Sequence, residues 1–210
     1  MMSEKPARPR LNREAIARAA LALVDERGAS ALSLRSLSAE LGAGAMSLYR
    51  HVPSREAIVA DVVALLLDEI ELTAPRGAGW VEGTKAVARS YRAMALRHPR
   101  AFELVANASN RESPVVDYAR RLRSFYAGLG MPPELFERNW SILDSFETGF
   151  LRFETQALLH AAQEPTGLDP ETAELATHMA STVSEDAFEA GLEIIVEGLA
   201  ARLERAATQA

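Results

Sequence analysis

Apolar positions in the first quarter of the chain recur at helical spacing and are broken at short intervals. Ile16, Ala19, Ala20, Leu23 and Val24 follow the i, i+3, i+4, i+7, i+8 series of a one-faced helix. Asn12 precedes it as a capping residue, Glu14 sits in its first turn, and Gly28 stands where a left-handed cap is expected. Ser33 then caps a short helix with Leu34, Leu37 and Leu41 on one face, and Gly42-Ala43-Gly44 interrupts it. A third short helix, Ala45 to His51, turns Leu48 inward. Pro53-Ser54 ends it, and Ser54 caps a fourth helix expected to run to about Leu72. A helix, a tight glycine-containing turn and a short second helix are the parts of a helix-turn-helix.

The clearest break, Thr73 to Gly79, contains Pro75, Gly77 and Gly79. Beyond it, helical patterning is expected at about 80–97, 101–109, 114–129, 133–162, 170–180 and 184–207. Ser113-Pro114 and Asp169-Pro170 each place a cap residue before a proline at the first helical position. The long segment carries Phe136, Trp140, Leu143, Phe146, Phe150, Phe153 and Ala157 at three- to four-residue spacing, and the last carries Phe188, Leu192, Ile195, Leu199 and Leu203. Strand-type alternation and internal repeats are absent. The expected fold is all-α, an N-terminal three-helix helix-turn-helix domain followed by a helical ligand-binding and dimerisation domain. Residues 1–11 form a flexible basic arm, 12–60 the helix-turn-helix, and 80–207 the body.

Composition narrows this further. At 48% hydrophobic residues the chain can bury a substantial core. It has no cysteine, which excludes disulfides, thiolate zinc sites and cysteine nucleophiles. No signal-type apolar segment follows the basic N-terminus, and the apolar run Ile58–Leu67 contains Asp61 and is too short to span a bilayer. A soluble cytoplasmic protein without membrane partners is expected. The net charge of −6 argues against nucleic acid until it is divided along the chain. Residues 1–60 hold nine Lys/Arg against six acids, whereas the remainder holds 14 against 23. A positive head on an acidic body suits a phosphate-binding module attached to a regulatory domain.

Leu41-Gly42, Leu48-Tyr49-Arg50-His51-Val52 and Arg55-Glu56-Ala57-Ile58-Val59, with Gly28, Leu32, Ser33 and Arg35-Ser36-Leu37 before them, resemble the DNA-binding domain of the TetR family. That resemblance covers about residues 12–60. It implies a homodimeric transcriptional repressor of double-stranded operator DNA with palindromic half-sites, released by an unidentified small-molecule effector. In that role Ser33 and Tyr49 can donate to phosphate oxygens, and His51 either does so or is a partly buried structural residue. Arg55, opening the fourth helix, is expected at the DNA backbone. Arg35 can reach a guanine edge or a phosphate. Ser47 and Arg50 are the polar groups of the recognition helix, and Ala45 or Met46 can touch a thymine methyl. Lys5, Arg8 and Arg10 either add minor-groove and phosphate contacts or form a plain tail.

For the body, the resemblance implies an intersubunit four-helix bundle from the segments at 133–162 and 184–207, with Gly191 and Gly198 permitting close approach of a neighbour. It also implies a cavity for a small, mostly hydrophobic effector. The candidate lining is Tyr91, Met94, Phe102, Asn107, Phe125, Trp140, Phe146, Glu147 and Phe150, from a wider set that includes Trp80, Tyr126 and Asn110. No cofactor and no metal are expected, since His98, His160 and His178 do not reproduce the acid–histidine arrangement of tetracycline-responsive members. The competing readings are a helical enzyme and an interaction module without DNA binding. Glu174 and His178 have no second copy to build a di-iron site, and phosphate-loop and nucleophile-elbow motifs are missing. The basic head argues against the interaction module.

Overall fold

The computed structural model describes residues 11–161 and 167–208, so the basic arm with Lys5, Arg8 and Arg10 lies outside the described residues. Helices and no strand occur among the described residues. None of these helices is long and apolar enough to cross a membrane.

The head contains α1 (Arg13–Arg27), a 3-10 turn (Ala29–Ala31), α2 (Leu34–Glu40), α3 (Ala45–Tyr49) and the start of α4 (Arg55–Asp68). Its boundaries follow from side-chain caps. Asn12 Oδ1 accepts from the Ala15 N–H at 2.7 Å, and Ser54 Oγ accepts from the Ala57 N–H at 3.2 Å. Gly28 closes α1 at φ +82°, a conformation that a side chain would strain. Ile16, Ala20, Leu23 and Val24 of α1 meet Leu37, Leu48 and Ile58 in one core, all fully buried or nearly so. Arg13 adds a two-pronged ion pair to Asp61 of α4 at 2.7 and 2.8 Å.

The body follows as α5 (Trp80–Arg97), α6 (Phe102–Ala106), α7 (Ser113–Gly128), α8 (Pro133–His160), α9 (Pro170–Ser181) and α10 (Glu185–Thr208). Several expected bounds shift. The fourth helix stops at Asp68 rather than near Leu72, although Ile70 beyond it is still buried. The segment expected at 101–109 is helical only over Phe102–Ala106. Ser113 does not cap α7; it is the first helical residue, and its hydroxyl donates to Asp117 at 3.0 Å. Asp169 does cap α9, accepting from the Thr172 N–H at 3.1 Å.

A long helix α8 is held between α5, α7 and α10. Phe146 and Phe150 pack on Phe188 of α10, with ring centroids 5.8 and 5.4 Å apart. Gly191 lies under the Phe146 ring, which a Cβ there would approach to 2.6 Å. It therefore serves packing within the protomer, not the approach of a neighbour that its place on the final helix had suggested. Gly198 faces open space. Nearby, Arg92 of α5 reaches Glu154 of α8 at 2.6 Å, with both side chains largely buried, and a second carboxylate, Glu185 of α10, at 3.4 Å. The Arg92 guanidinium also stands 5.7 Å from the Phe188 ring centroid.

Three helices meet on that guanidinium, so removing its buried counter-ion leaves it only the more distant, exposed Glu185 carboxylate. Glu154→Ala is expected to destabilise the fold by about 2 kcal/mol, read by denaturant unfolding, whereas exposed Glu174→Ala should leave it within about 0.5 kcal/mol.

Candidate nucleic-acid interface and ligand cavity

Hydroxyl bonds cap the start of α2, and a backbone bond closes the turn between α2 and α3. Ser33 Oγ accepts from the Ser36 N–H, and Ser36 Oγ from the Ser33 N–H, each at 3.0 Å. Gly42 takes φ +57° and the Ala43 N–H donates back to the Ser38 carbonyl at 3.0 Å. Leu48 and Val52, both fully buried, pin α3 to the head core. Its opposite face is left to solvent: Met46 is 78% and Tyr49 49% exposed, and Arg50 and His51 are exposed beside them. Arg50 Nη2 donates to Ser47 Oγ at 3.4 Å. His51 is therefore a surface residue, not a partly buried one.

Arg35 projects from α2 into solvent and has no hydrogen bond or ion pair among the described residues. On α1 the guanidinium groups are paired, Arg13 on Asp61 at 2.7 Å, Arg18 on Glu14 at 2.9 Å and Arg27 on Glu26 at 3.4 Å, whereas Arg55 at the start of α4 bonds only carbonyls. Positive charge without a counter-ion thus collects on the α2–α3 face, where it is available to phosphate.

Arg55 is exposed at the start of α4 and also serves the head itself. Its Nε donates to the Leu32 carbonyl at 2.8 Å and its Nη2 to the Ala29 carbonyl at 3.1 Å. Two donor nitrogens thereby bond carbonyls of the 3-10 turn, Ala29's being shared with the Leu32 N–H, and the residue braces α4 against the α1–α2 connection.

Inside the body, a cavity opens between α5, α7 and α8, with Leu67 of α4 and Leu199 of α10 in its wall. It contains about 900 Å³ of space between protein atoms, mouth included, of which the centres of water molecules reach about 90 Å³. Of the nine residues expected to line it, Tyr91, Trp140 and Glu147 do. Met94 and Phe102 are instead core, fully buried or nearly so. Asn107 is exposed and accepts from Arg152 at 3.5 Å. Phe125 packs on Tyr126 with ring centroids 5.3 Å apart. Phe146 and Phe150 turn away to Phe188, since they occupy the α10-facing side of α8.

The lining that was not anticipated comes from the other face of α8 (Asn139, Asp144, Thr148) and from α7 (Tyr118, Leu122). Tyr126 and Asn110, from the wider set, also line it, Asn110 as an exposed residue after α6. The spacing of Tyr118, Leu122 and Tyr126, four apart along α7, was a readable signal of one inward face.

Burial, with the Asp144 charge one turn away adding to it, pushes the Glu147 carboxyl up to about 8. Burial likewise raises Asp144 and the Tyr91, Tyr118 and Tyr126 hydroxyls. No lysine, arginine or histidine lines the cavity. No group of three His, Cys, Asp or Glu residues among the described residues is arranged to hold a metal ion.

Two family models match the chain. "Bacterial regulatory proteins, tetR family" covers residues 16–62, and "Tetracyclin repressor-like, C-terminal domain" covers residues 73–203. Among curated relatives, the HTH-type transcriptional repressor DrrR1 of Streptomyces coeruleorubidus is 28% identical over 167 residues, 77% of this chain and 59% of its own length. The chain spans 42 to 59% of the lengths of the curated relatives it matches. Apo ActR from Streptomyces coelicolor superposes with a TM-score of 0.73 at 28% identity, covering 95% of this chain and 100% of that one. ActR in complex with actinorhodin gives 0.70 at 29% identity, covering 92% and 97%.

Two outcomes follow for this site. With an ordinary value of 4.5 in the unfolded chain and about 8 in the folded one, Glu147 binds more protons folded than unfolded across that window, so stability falls as pH rises through it. Glu147→Gln should flatten that decline and raise stability at pH 7 by about 2 kcal/mol, read by thermal unfolding across pH. Arg55→Ala should cost about 1 kcal/mol of stability, through the Leu32 carbonyl it leaves without a partner and the brace it removes.

Proposed function

The chain belongs to the TetR family of bacterial regulators, and on that premise we propose that it is a DNA-binding transcriptional repressor released from its operator by a small, mostly hydrophobic effector. The observation that carries the DNA-binding half is the charge distribution of the head: exposed Arg35 and Arg50 stand without acidic partners beside a presented α3, while the arginines of α1 are paired with acids. In this reading Ser33, Tyr49 and His51 meet phosphates, and Arg35, Ser47 and Arg50 meet base edges. Ala45 and Met46 offer apolar contact, and Arg55 acts indirectly by holding α4 in place. A recognition helix led by Gly44, Ala45 and Met46 brings few hydrogen-bonding groups to the bases, so half-site spacing and DNA shape carry much of the specificity.

Half-site spacing requires a two-fold pair. Phe153 of α8 and Ile194 of α10 are 69% and 72% exposed, and Leu158 and Gly198 lie on the same two helices. An apolar surface of this kind on two long helices supports a homodimer seam at 133–162 and 184–207. The cavity, walled partly by Leu67 of α4, supports an effector site coupled to the head. That a related regulator, ActR, is found in complex with actinorhodin agrees with a small-molecule ligand for this chain. Effector binding favours a spacing of the two heads that no longer fits successive major grooves.

Fluorescence anisotropy on the operator of a neighbouring promoter tests the first half. Tyr49→Ala is expected to weaken binding by a similar factor on all operator variants, while Arg35→Ala weakens it about tenfold or more and narrows the gap between correct and mutated sites. Unchanged affinity in both variants would refute the assignment. For the seam, Phe153→Glu should sediment as a monomer and lose cooperative operator binding, while melting as the parent protomer does.

A further inference from the structure

The residues of the cavity carry a more specific message than apolarity. Glu147 and Asp144 lie one turn apart on α8 and both border the cavity, yet neither has a hydrogen-bond or ion-pair partner among the described residues. The rest of the wall is largely aliphatic and aromatic, including Val87, Leu122 and Leu135. Carboxyl groups in such surroundings are expensive to ionise unless a cation joins them. The protein itself supplies none, since no basic side chain lines the space.

Aromatic rings complete the arrangement. Tyr91 from α5, Tyr118 and Tyr126 from α7, and Trp140 from α8 border the same cavity as the two carboxyl groups. The negative face of such a ring attracts a cation, and does so most strongly where water is excluded. Tyr118 is 8% exposed, and its hydroxyl has no partner among the described residues, leaving an acceptor for an ammonium N–H.

We propose that this cavity is built for a cationic effector: an apolar, ring-bearing molecule with one protonated amine, whose ammonium is balanced by Glu147 and Asp144 and flanked by the tyrosine rings. The proposal rests on the reading of the cavity as the effector site. An anionic molecule of the same shape meets two acids and no base. A neutral one finds apolar walls and can accept a hydrogen bond from protonated Glu147, but gains nothing from ionising it.

The proton balance gives this a distinct signature. In the empty cavity Glu147 keeps its proton up to about pH 8. An ammonium beside it favours the carboxylate, so binding expels that proton and affinity rises with pH until the carboxyl is already ionised. The titratable groups around Glu147 are Asp144 on its own helix, Tyr91 on α5, and Tyr118 and Tyr126 on α7; Arg121 stands over the Tyr118 ring at 5.7 Å. The three hydroxyls are pushed above their ordinary range and remain protonated throughout.

The test uses the full chain and three naphthalenes of one shape and different charge: 1-naphthylmethylamine, 1-naphthylmethanol and 1-naphthylacetate. Calorimetry should rank the ammonium at least about tenfold tighter than the alcohol, with the carboxylate weakest. Its affinity should climb by up to about tenfold per pH unit below pH 8, with proton release visible as a buffer-dependent heat. Glu147→Gln, checked for an intact melting transition, should remove the preference and the pH slope while leaving the alcohol within about twofold. Equal or stronger binding of the alcohol or carboxylate, no saturable binding of the ammonium, or an unaltered Glu147→Gln variant would each overturn the proposal. Operator release separates the two readings. Ammonium binding that leaves DNA bound defeats the effector assignment and keeps the cation site; release by the alcohol without charge preference does the reverse.

Discussion

The structure depends on α4 being apolar on more than one side. Ile58, Val62, Val63, Leu66 and Leu67 are all buried within fourteen residues, so no face is left for water except a narrow polar strip. One side completes the core that α1, α2 and α3 begin; the other packs against α6 and α7. Neither the head nor the body closes its core without this helix. Burial of that kind is also why the connection between them is rigid: two separately folded units would meet through a smaller and more polar surface.

Polar contacts reinforce the junction at its far end. His98, following α5, stands 2.7 Å from Asp25 of α1 and 3.2 Å from Glu69 at the close of α4, and Arg97 pairs with Glu69. Arg121 of α7 adds Asp68 at 2.8 Å. The cavity begins immediately beside these contacts, at Leu67. A molecule that fills or reshapes the space between α7 and α8 therefore presses on the one helix that both halves share. The proposed coupling would need no relay of side chains, because Leu67 in the wall of the cavity belongs to the helix that completes the head core.

How much of this could be read in advance differs by scale. The helix-turn-helix was legible because its signals are local: a capping serine, a glycine turn, an inward Leu48. Local order fixed those residues before any distant contact did. The body was harder. Helix α8 has apolar residues on two faces, and periodicity does not say which faces the cavity and which faces α10, so Phe146 and Phe150 read as lining although they pack on Phe188. Asn139 and Asp144 looked like ordinary polar interruptions of a long helix, and only the position of α7 opposite them reveals an enclosed space. At Arg55 the exposed cation was legible and its second task was not: the carbonyls of Ala29 and Leu32 that it serves lie 26 and 23 residues earlier and meet it only in the folded head.

The shape of α4 also sets a mechanical scale. Its fourteen residues extend about 21 Å from Arg55 to Asp68. With the end nearest His98 anchored, a tilt of about five degrees displaces the other end, and the braced head with it, by about 2 Å. In a two-fold pair the displacements double. A change near the limit of what side-chain repacking around the cavity can supply thus becomes a misfit large enough to matter against a helical repeat of fixed length. If α4 moves as a lever about the histidine between Asp25 and Glu69, the length of that one helix sets its sensitivity.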